Sequence, residues 1–163
     1  MPTQSGAVEV NDWSVGAVEE ASRNGVLQDW VVSYMRSGSW RNDGLADGIG
    51  LARRWWGGPA LIDTSALVRT CGPEPDMPYR VSEQSWIQRT TAIAGTIGDE
   101  AFDLRTMPPL IVEFREGTLA VADGNHRLGA FALAGVEQAW VIVWSNSEED
   151  HSKAAQRLAL EFT

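Results

Sequence analysis

Apolar positions in the first third of the chain fall at helical spacings. Val15 and Val18 lie on one face of a helix that Asp12 can cap and that Asn24-Gly25 ends after Arg23. Val26, Trp30, Val31 and Tyr34 make the apolar face of a second helix, broken at Ser37-Gly38. Leu45, Ile49, Ala52 and Trp56 follow at steps of four, three and four, which predicts a third helix stopped by Gly57-Gly58-Pro59. Residues 1–11 carry no such pattern and read as a flexible tail.

The pattern then becomes mixed. Ala60-Leu61-Ile62 predicts a short strand, and Gly72-Pro73-Glu74-Pro75 a loop. Ser82 can cap a helix that buries Trp86, Thr90, Ile93 and Ile97. After Met107-Pro108-Pro109, residues 110–114 form a strand, Arg115-Glu116-Gly117 a turn, and residues 118–122 the antiparallel return. A helix closed by Gly135, a strand over residues 139–144 and a last helix capped by Ser147 follow. No internal repeat is found. This order predicts an α+β domain over residues 59–163, with a helical extension over 12–58 packed on its core.

At 163 residues, 44% hydrophobic and 21% charged, the chain is the size of one domain with one core. No apolar run reaches the roughly 18 residues of a membrane span. The first residues show neither the basic start nor the apolar stretch of a secretory signal. Cys71 is the single cysteine, so nothing points to an oxidising compartment, and the expected location is the cytoplasm. A net charge of −9, with Lys153 the single lysine, argues against duplex DNA, whose binding rests on Lys and Arg neutralising phosphates. A few oriented arginines still suffice for a nucleotide. The eight tryptophans fall mostly on helical or strand spacings, which assigns them first to core and interface packing, a homodimer through the Trp-rich helices included.

The stretch Asp123-Gly124-Asn125-His126-Arg127 joins a predicted strand to a predicted helix. Gly124 can take a positive φ and bring the backbone close to a ligand. The N–H groups of Asn125, His126 and Arg127 would then open at the positive end of the helix dipole, where an anion is favoured. His126, partly protonated near neutrality, and Arg127 would add side-chain donors, and Asp123 would orient His126 or hold a phosphate-bound metal. The plainer reading is a turn with a capping Asp or Asn and a solvated His-Arg pair. Both readings fit the local sequence.

Pro-Pro-Leu-Ile-Val, the hairpin, Asp-Gly-Asn-His-Arg-Leu, a helix ending Leu-Ala-Gly and a further strand together resemble the ParB/sulfiredoxin superfamily. The resemblance spans residues 60–145 and is strongest over 108–144. It implies a mixed sheet with packed helices and a strand-to-helix turn that binds nucleotide phosphates. The Asp-Gly-x-x-Arg form is similar to members that bind ATP or ADP, free-serine kinases among them. Leu-Ala-Arg-Arg-Trp-Trp-Gly-Gly-Pro is similar to an accessory region of bacterial proteins labelled only as ParB-like, a label that assigns no activity. Sulfiredoxins carry a nucleophilic cysteine directly before His-Arg; Asn125 stands there in this chain, so sulfinic acid repair is not expected. Partition proteins use a Glu-Arg-Arg type of turn for CTP and place a helix-turn-helix reader downstream, for which the sequence after the last strand is too short.

Turn and resemblance together predict a nucleotide-binding protein whose leading activity is Mg²⁺-dependent phosphoryl transfer with ATP or ADP, as a kinase or NTP hydrolase. Gly124, Asn125, His126 and Arg127 would hold the phosphates, joined by Arg80 from the Pro78-Tyr79-Arg80 loop. His126 and Asp123 would be the catalytic residues, Asp123 also the metal ligand, and a small-molecule hydroxyl the acceptor. Asp63 and Glu83 are candidates for the base. The alternatives are a noncatalytic nucleotide- or partner-binding module and a ParB-like nuclease. Arg53-Arg54-Trp55-Trp56 reads as a nucleotide-stacking face or, better supported, as packed tryptophans beside solvated arginines. Asp43 and Asp47 are too sparse for a calcium loop, and Glu113 and Glu116 are expected in solvent. His151 opens the last helix among acidic residues, with no second histidine near it.

Overall fold

The computed structural model describes residues 12–37 and 41–162; the expected tail over 1–11 and the predicted break at Gly38 lie outside them. The elements run α1 (Val15–Arg23), α2 (Leu27–Met35), α3 (Asp43–Ile49), β1 (Trp55–Asp63), β2 (Leu67–Val68), β3 (Cys71–Gly72) and β4 (Tyr79–Arg80). They continue with α4 (Glu83–Ile97), β5 (Leu110–Arg115), β6 (Thr118–Asp123), α5 (Asn125–Ala134), β7 (Gln138–Ser145) and α6 (Glu148–Phe162). The fold is α+β. Among the described residues no helix is long and apolar enough to cross a membrane.

A mixed sheet carries the order β1-β7-β5-β6-β2. β7 lies antiparallel to β1 and parallel to β5. β5 and β6 form the expected hairpin, with Glu116 and Gly117 at φ 51° and 79°, the left-handed pair that a tight two-residue turn uses. β2 adds a short parallel edge, Leu67 opposite Leu119 and Val68 opposite Ala120.

The near-continuous apolar runs of β5 and β7 are covered on both faces, as such runs require. Leu110, Val112, Phe114, Val141 and Val143 alternate toward one side, where Phe131 of α5 and Ala154 and Leu158 of α6 complete a cluster. Ile111, Ile142 and Trp144 point to the other side and pack with Val31, Tyr34 and Met35 of α2 and Ala46 and Ile49 of α3. The N-terminal helices therefore share a core with the sheet. Trp13, Trp30 and Tyr34 form an aromatic group within the chain, Trp30 stacked on Tyr34 at 5.4 Å.

α4 stands outside these layers, against α5. Ser82 caps it as expected, but of its predicted face only Thr90 is buried, while Ile87 is 53% exposed. Close approach is possible because Gly129 has no side chain: a Cβ there would sit 2.6 Å from the Trp86 ring and 3.1 Å from the Thr90 methyl.

Two local expectations change. Ser14, not Asp12, caps α1, accepting from the Ala17 N–H, and Asp12 accepts from Ser14. The third helix ends at Ile49, and Trp56 lies instead on β1 opposite Trp144. With Gly44 and Gly48 in its interior, α3 is a weak helix that extends only as far as Ala46 and Ile49 reach the core. Gly57-Gly58-Pro59 is a bulge rather than a helix stop, since the register to β7 shifts between Gly57 and Ala60. β1 is an edge strand, where a proline is tolerated.

Candidate anion-binding cleft

The turn into α5 is built on an inward-facing set of polar contacts. Gly124 has φ 103°, the left-handed conformation expected for it. The space beside it is filled by protein, however: a Cβ would meet Leu110 Cδ2 at 2.5 Å and Arg127 Nη2 at 2.9 Å. The glycine thus lets the Arg127 guanidinium fold back beneath the turn. Arg127 is 2% exposed; it donates to the Pro108 carbonyl, to the Tyr34 hydroxyl at 2.9 Å and to Asp123 Oδ2 at 3.2 Å. Tyr34 in turn donates to Asp123 Oδ2 at 3.3 Å. Burial pushes the Tyr34 hydroxyl well above its usual pKa, with Arg127 opposing and Asp123 adding, so it remains a donor. Arg127 and Asp123, expected at the phosphates and the metal, both border the cleft, while the guanidinium and Oδ2 join Tyr34 in a triad that ties α2 to the turn. Asp123 makes no hydrogen bond to His126.

Asn125 is committed in the same way. Its side-chain oxygen accepts from the N–H groups of Thr70 at 2.8 Å and Cys71 at 3.2 Å, and its nitrogen donates to Val121 O at 3.1 Å. At 6% exposure this amide pins the 70–71 segment to β6 and leaves only its backbone N–H for a ligand. Cys71 stays a thiol, its pKa raised mainly by burial.

The outward side of the turn opens on a cleft of about 620 Å³. Thr70, Cys71, Tyr79, Arg89 and Ile93 line one side, and Arg41, Asn42, Gly44 and Gly48 the α3 side. Glu113, Ala120, Ala122 and Trp144 belong to the same cleft, with Gly124, Asn125 and His126 at the α5 end. The N–H groups of Asn125 and His126 make no hydrogen bond within the described residues, as the first turn of a helix leaves them. His126 packs against Trp86 in a tilted contact, centroids 4.7 Å and planes 40° apart, and the Arg69 guanidinium covers the same indole at 4.7 Å. Arg89 is exposed, and its charge acts on both His126 and Cys71.

Burial lowers the His126 pKa below 6.5, with Arg89 adding to the effect and Asp123 opposing it. The neutral form of the ring is thereby favoured beyond what an exposed histidine would show. Because the unfolded chain binds the proton more readily, this contribution to stability is complete above pH 6.5 and is lost as pH falls through and below that value. The melting temperature is expected to drop between about pH 7.5 and about pH 5.5, and His126→Gln should flatten that part of the curve. An unchanged slope in the variant would show that other groups set it.

The remaining expected residues lie elsewhere. Arg80 is exposed, donates to the Pro73 carbonyl at 3.3 Å and does not line the cleft; Arg89, which the sequence did not single out, does. Asp63 sits at the end of β1 and Glu83 in the first turn of α4, both outside the lining. Glu113, expected in solvent, is half-buried in the cleft and accepts from Asn146 at 2.7 Å. Asp43 and Asp47 pair with Arg36, and Asp43 also with Arg41. Arg54 donates to the Gly48 and Ile49 carbonyls and to Asn146, Trp56 to Gln28, and Arg53 covers Trp55. Among the described residues no three His, Cys, Asp or Glu side chains come together as a metal site. With Asp123 Oδ2 held by Arg127 and Tyr34, the residues present do not form a Mg²⁺ cage of their own.

No family model and no curated protein matches the chain. Among solved structures, a match is found to the C-terminally truncated chromosome-partitioning protein ParB from Caulobacter crescentus, complexed with CTP-γ-S. The TM-score is 0.41 at 18% identity, over 60% of this chain and 50% of that one. The match spans half the length of that truncated chain, and the likeness is too loose to carry residue roles across.

Proposed function

We propose that the cleft at the start of α5 binds a nucleotide or a related phosphorylated small molecule, its phosphates against the first turn of α5 and the Arg89 guanidinium. The observation that supports this is the open pair of N–H groups on Asn125 and His126 at the positive end of a ten-residue helix, in a cleft that also holds Arg89. In a chain of net charge −9 such a cluster is a local inversion of sign. A cleft of about 620 Å³ has the size of small-molecule sites. The buried triad beneath and the Asn125 amide hold the donors fixed before a ligand arrives, which lowers the ordering cost of binding. Residues 12–58 act as the extension that supplies the α3 wall.

Phosphoryl transfer from ATP with Mg²⁺, to water or to a small-molecule hydroxyl, is the finer reading, and it rests on the resemblance of the turn. Glu113 is the cleft carboxylate outside the Arg127 triad, and it lies toward the α3 end, away from the phosphates. Binding without turnover is the second reading, favoured by the engagement of Asp123 with Arg127 and Tyr34.

Calorimetry with ATP, ADP, CTP, GTP and pyrophosphate, with and without Mg²⁺, tests the cleft. Arg89→Ala is expected to weaken binding by about tenfold to a hundredfold, the worth of a charge-assisted hydrogen bond, with the melting temperature of the free protein unchanged. No heat from any of these ligands would reject the reading. Phosphate release from ATP in the presence of Mg²⁺ separates transfer from binding alone.

A further inference from the structure

The α3 end of the cleft has a chemistry of its own. Among the described residues four buried side-chain polar atoms lack a hydrogen-bond partner, and two of them, His126 Nε2 and Trp144 Nε1, belong to residues that line this one cleft. Trp144 is 6% exposed, so its indole N–H has lost water without gaining an acceptor, an unfavourable state that a hydrogen-bonding ligand would relieve. Glu113 is its register partner across the parallel β5–β7 pair, on the same face of the sheet. One Glu113 oxygen accepts from Asn146, and Oε1 has no partner among the described residues. A donor without an acceptor and an acceptor without a donor thus stand on adjacent strands, about 4.8 Å apart at the backbone.

The surroundings are flat and small. Ala120 lies opposite Glu113 on β6, and Ala122 lines the same cleft. Gly44 and Gly48, one turn apart on α3, face open space: a Cβ at either would meet nothing within 4 Å. We infer that this end is a subsite for a planar heterocycle of nucleobase type. Trp144 Nε1–H would donate to a ring nitrogen or carbonyl, and Glu113 would accept from the adjacent amino or imino N–H. The carboxylate disfavours a second anion here, and the alanine floor favours a ring face over a sugar. The inference rests on the nucleotide reading of the cleft and deepens it: phosphates at α5, base between α3 and the sheet.

The test uses the indole N–H signals of the full chain in a ¹⁵N–¹H spectrum. The Trp144 signal is identified by its loss in Trp144→Phe, or by backbone-linked assignment should that variant not fold. Adenosine, cytidine and guanosine, which carry no phosphate, are titrated beside ribose 5-phosphate, which carries no base. At least one nucleoside is expected to move the Trp144 indole signal downfield, and ribose 5-phosphate is expected to leave it in place. In Glu113→Gln the side-chain oxygen keeps the Asn146 contact and an NH₂ replaces the ligand-facing acceptor. The matching nucleoside 5′-monophosphate should then bind about tenfold more weakly, with ribose 5-phosphate unaffected. If no nucleoside moves the signal, the subsite is overturned, whether or not ribose 5-phosphate binds. If a nucleoside moves it and pyrophosphate does not bind, the subsite stands and the phosphate end of the cleft fails.

Discussion

Replacing Arg127 by methionine is expected to cost about 3–5 kcal/mol of stability and to lower the melting temperature by about 10 °C. The change fills similar volume but takes the donor from the Pro108 carbonyl, one contact from the Tyr34 hydroxyl and the counter-charge from the Asp123 carboxylate, leaving the Tyr34–Asp123 hydrogen bond in place. Of these the carboxylate is the most costly, because it is 18% exposed and has lost its counter-charge. Lysine should not rescue the site, since one ammonium cannot reach a carbonyl, a phenol and a carboxylate as the planar guanidinium does. Asp123→Asn added to Arg127→Met should recover part of the loss, and chemical denaturation of the four forms measures the coupling. A loss under 1 kcal/mol would mean that the triad is not what fixes the turn.

Asn125→Ala is the second large effect, about 2–4 kcal/mol, from orphaning the Thr70 and Cys71 N–H groups and removing one of the side-chain donors to the Val121 carbonyl. The damage should be local as well as global. Thr70 and Cys71 are held to β6 chiefly through this amide, with Thr70 Oγ1 donating separately to Val121 O at 2.6 Å. Hydrogen exchange at Thr70 and Cys71 should accelerate by at least about tenfold, while amides in α1, far in the fold, keep their rates relative to global unfolding. Equal acceleration everywhere would assign Asn125 a general stabilising role and no specific hold on the cleft wall.

What could be read in the sequence follows from where a periodic signal existed. α1, α2, α4, α5 and the β5–β6 hairpin carry clear spacings or end signals, and the structure places them within a few residues of expectation, although Gly124 and not Asp123 or Asn125 stands at the N-cap of α5. Residues 60–62 lie in β1 as expected, but the strand begins at Trp55 and α3 ends at Ile49, because Leu45, Ile49, Ala52 and Trp56 satisfy a helical spacing by coincidence: Trp56 is apolar for its place opposite Trp144. β2, β3 and β4 are two residues each and leave no pattern to detect.

The site divides along a different line. The positive φ at Gly124 was legible, as was the open first turn of α5. The direction of Arg127 was not taken from the sequence, although a signal was present. Arg127 shares the buried face of α5 with Ala130 and Phe131, three and four residues on, whereas His126 sits on a less buried line. An arginine on an apolar stripe is a buried arginine, and a buried arginine needs acceptors; Pro108-Pro109, just before β5, supplies the carbonyls. Arg89 and Glu113 had no local signal at all, because α4 and β5 meet at the cleft only through the tertiary fold.

The measurement that tests the anion cleft most directly is a pyrophosphate titration followed at the backbone amides. Saturable downfield shifts of the Asn125 and His126 N–H signals are expected, sharply reduced in Arg89→Ala. Binding that leaves those two amides unmoved, or no binding at all, would contradict a phosphate site at the start of α5.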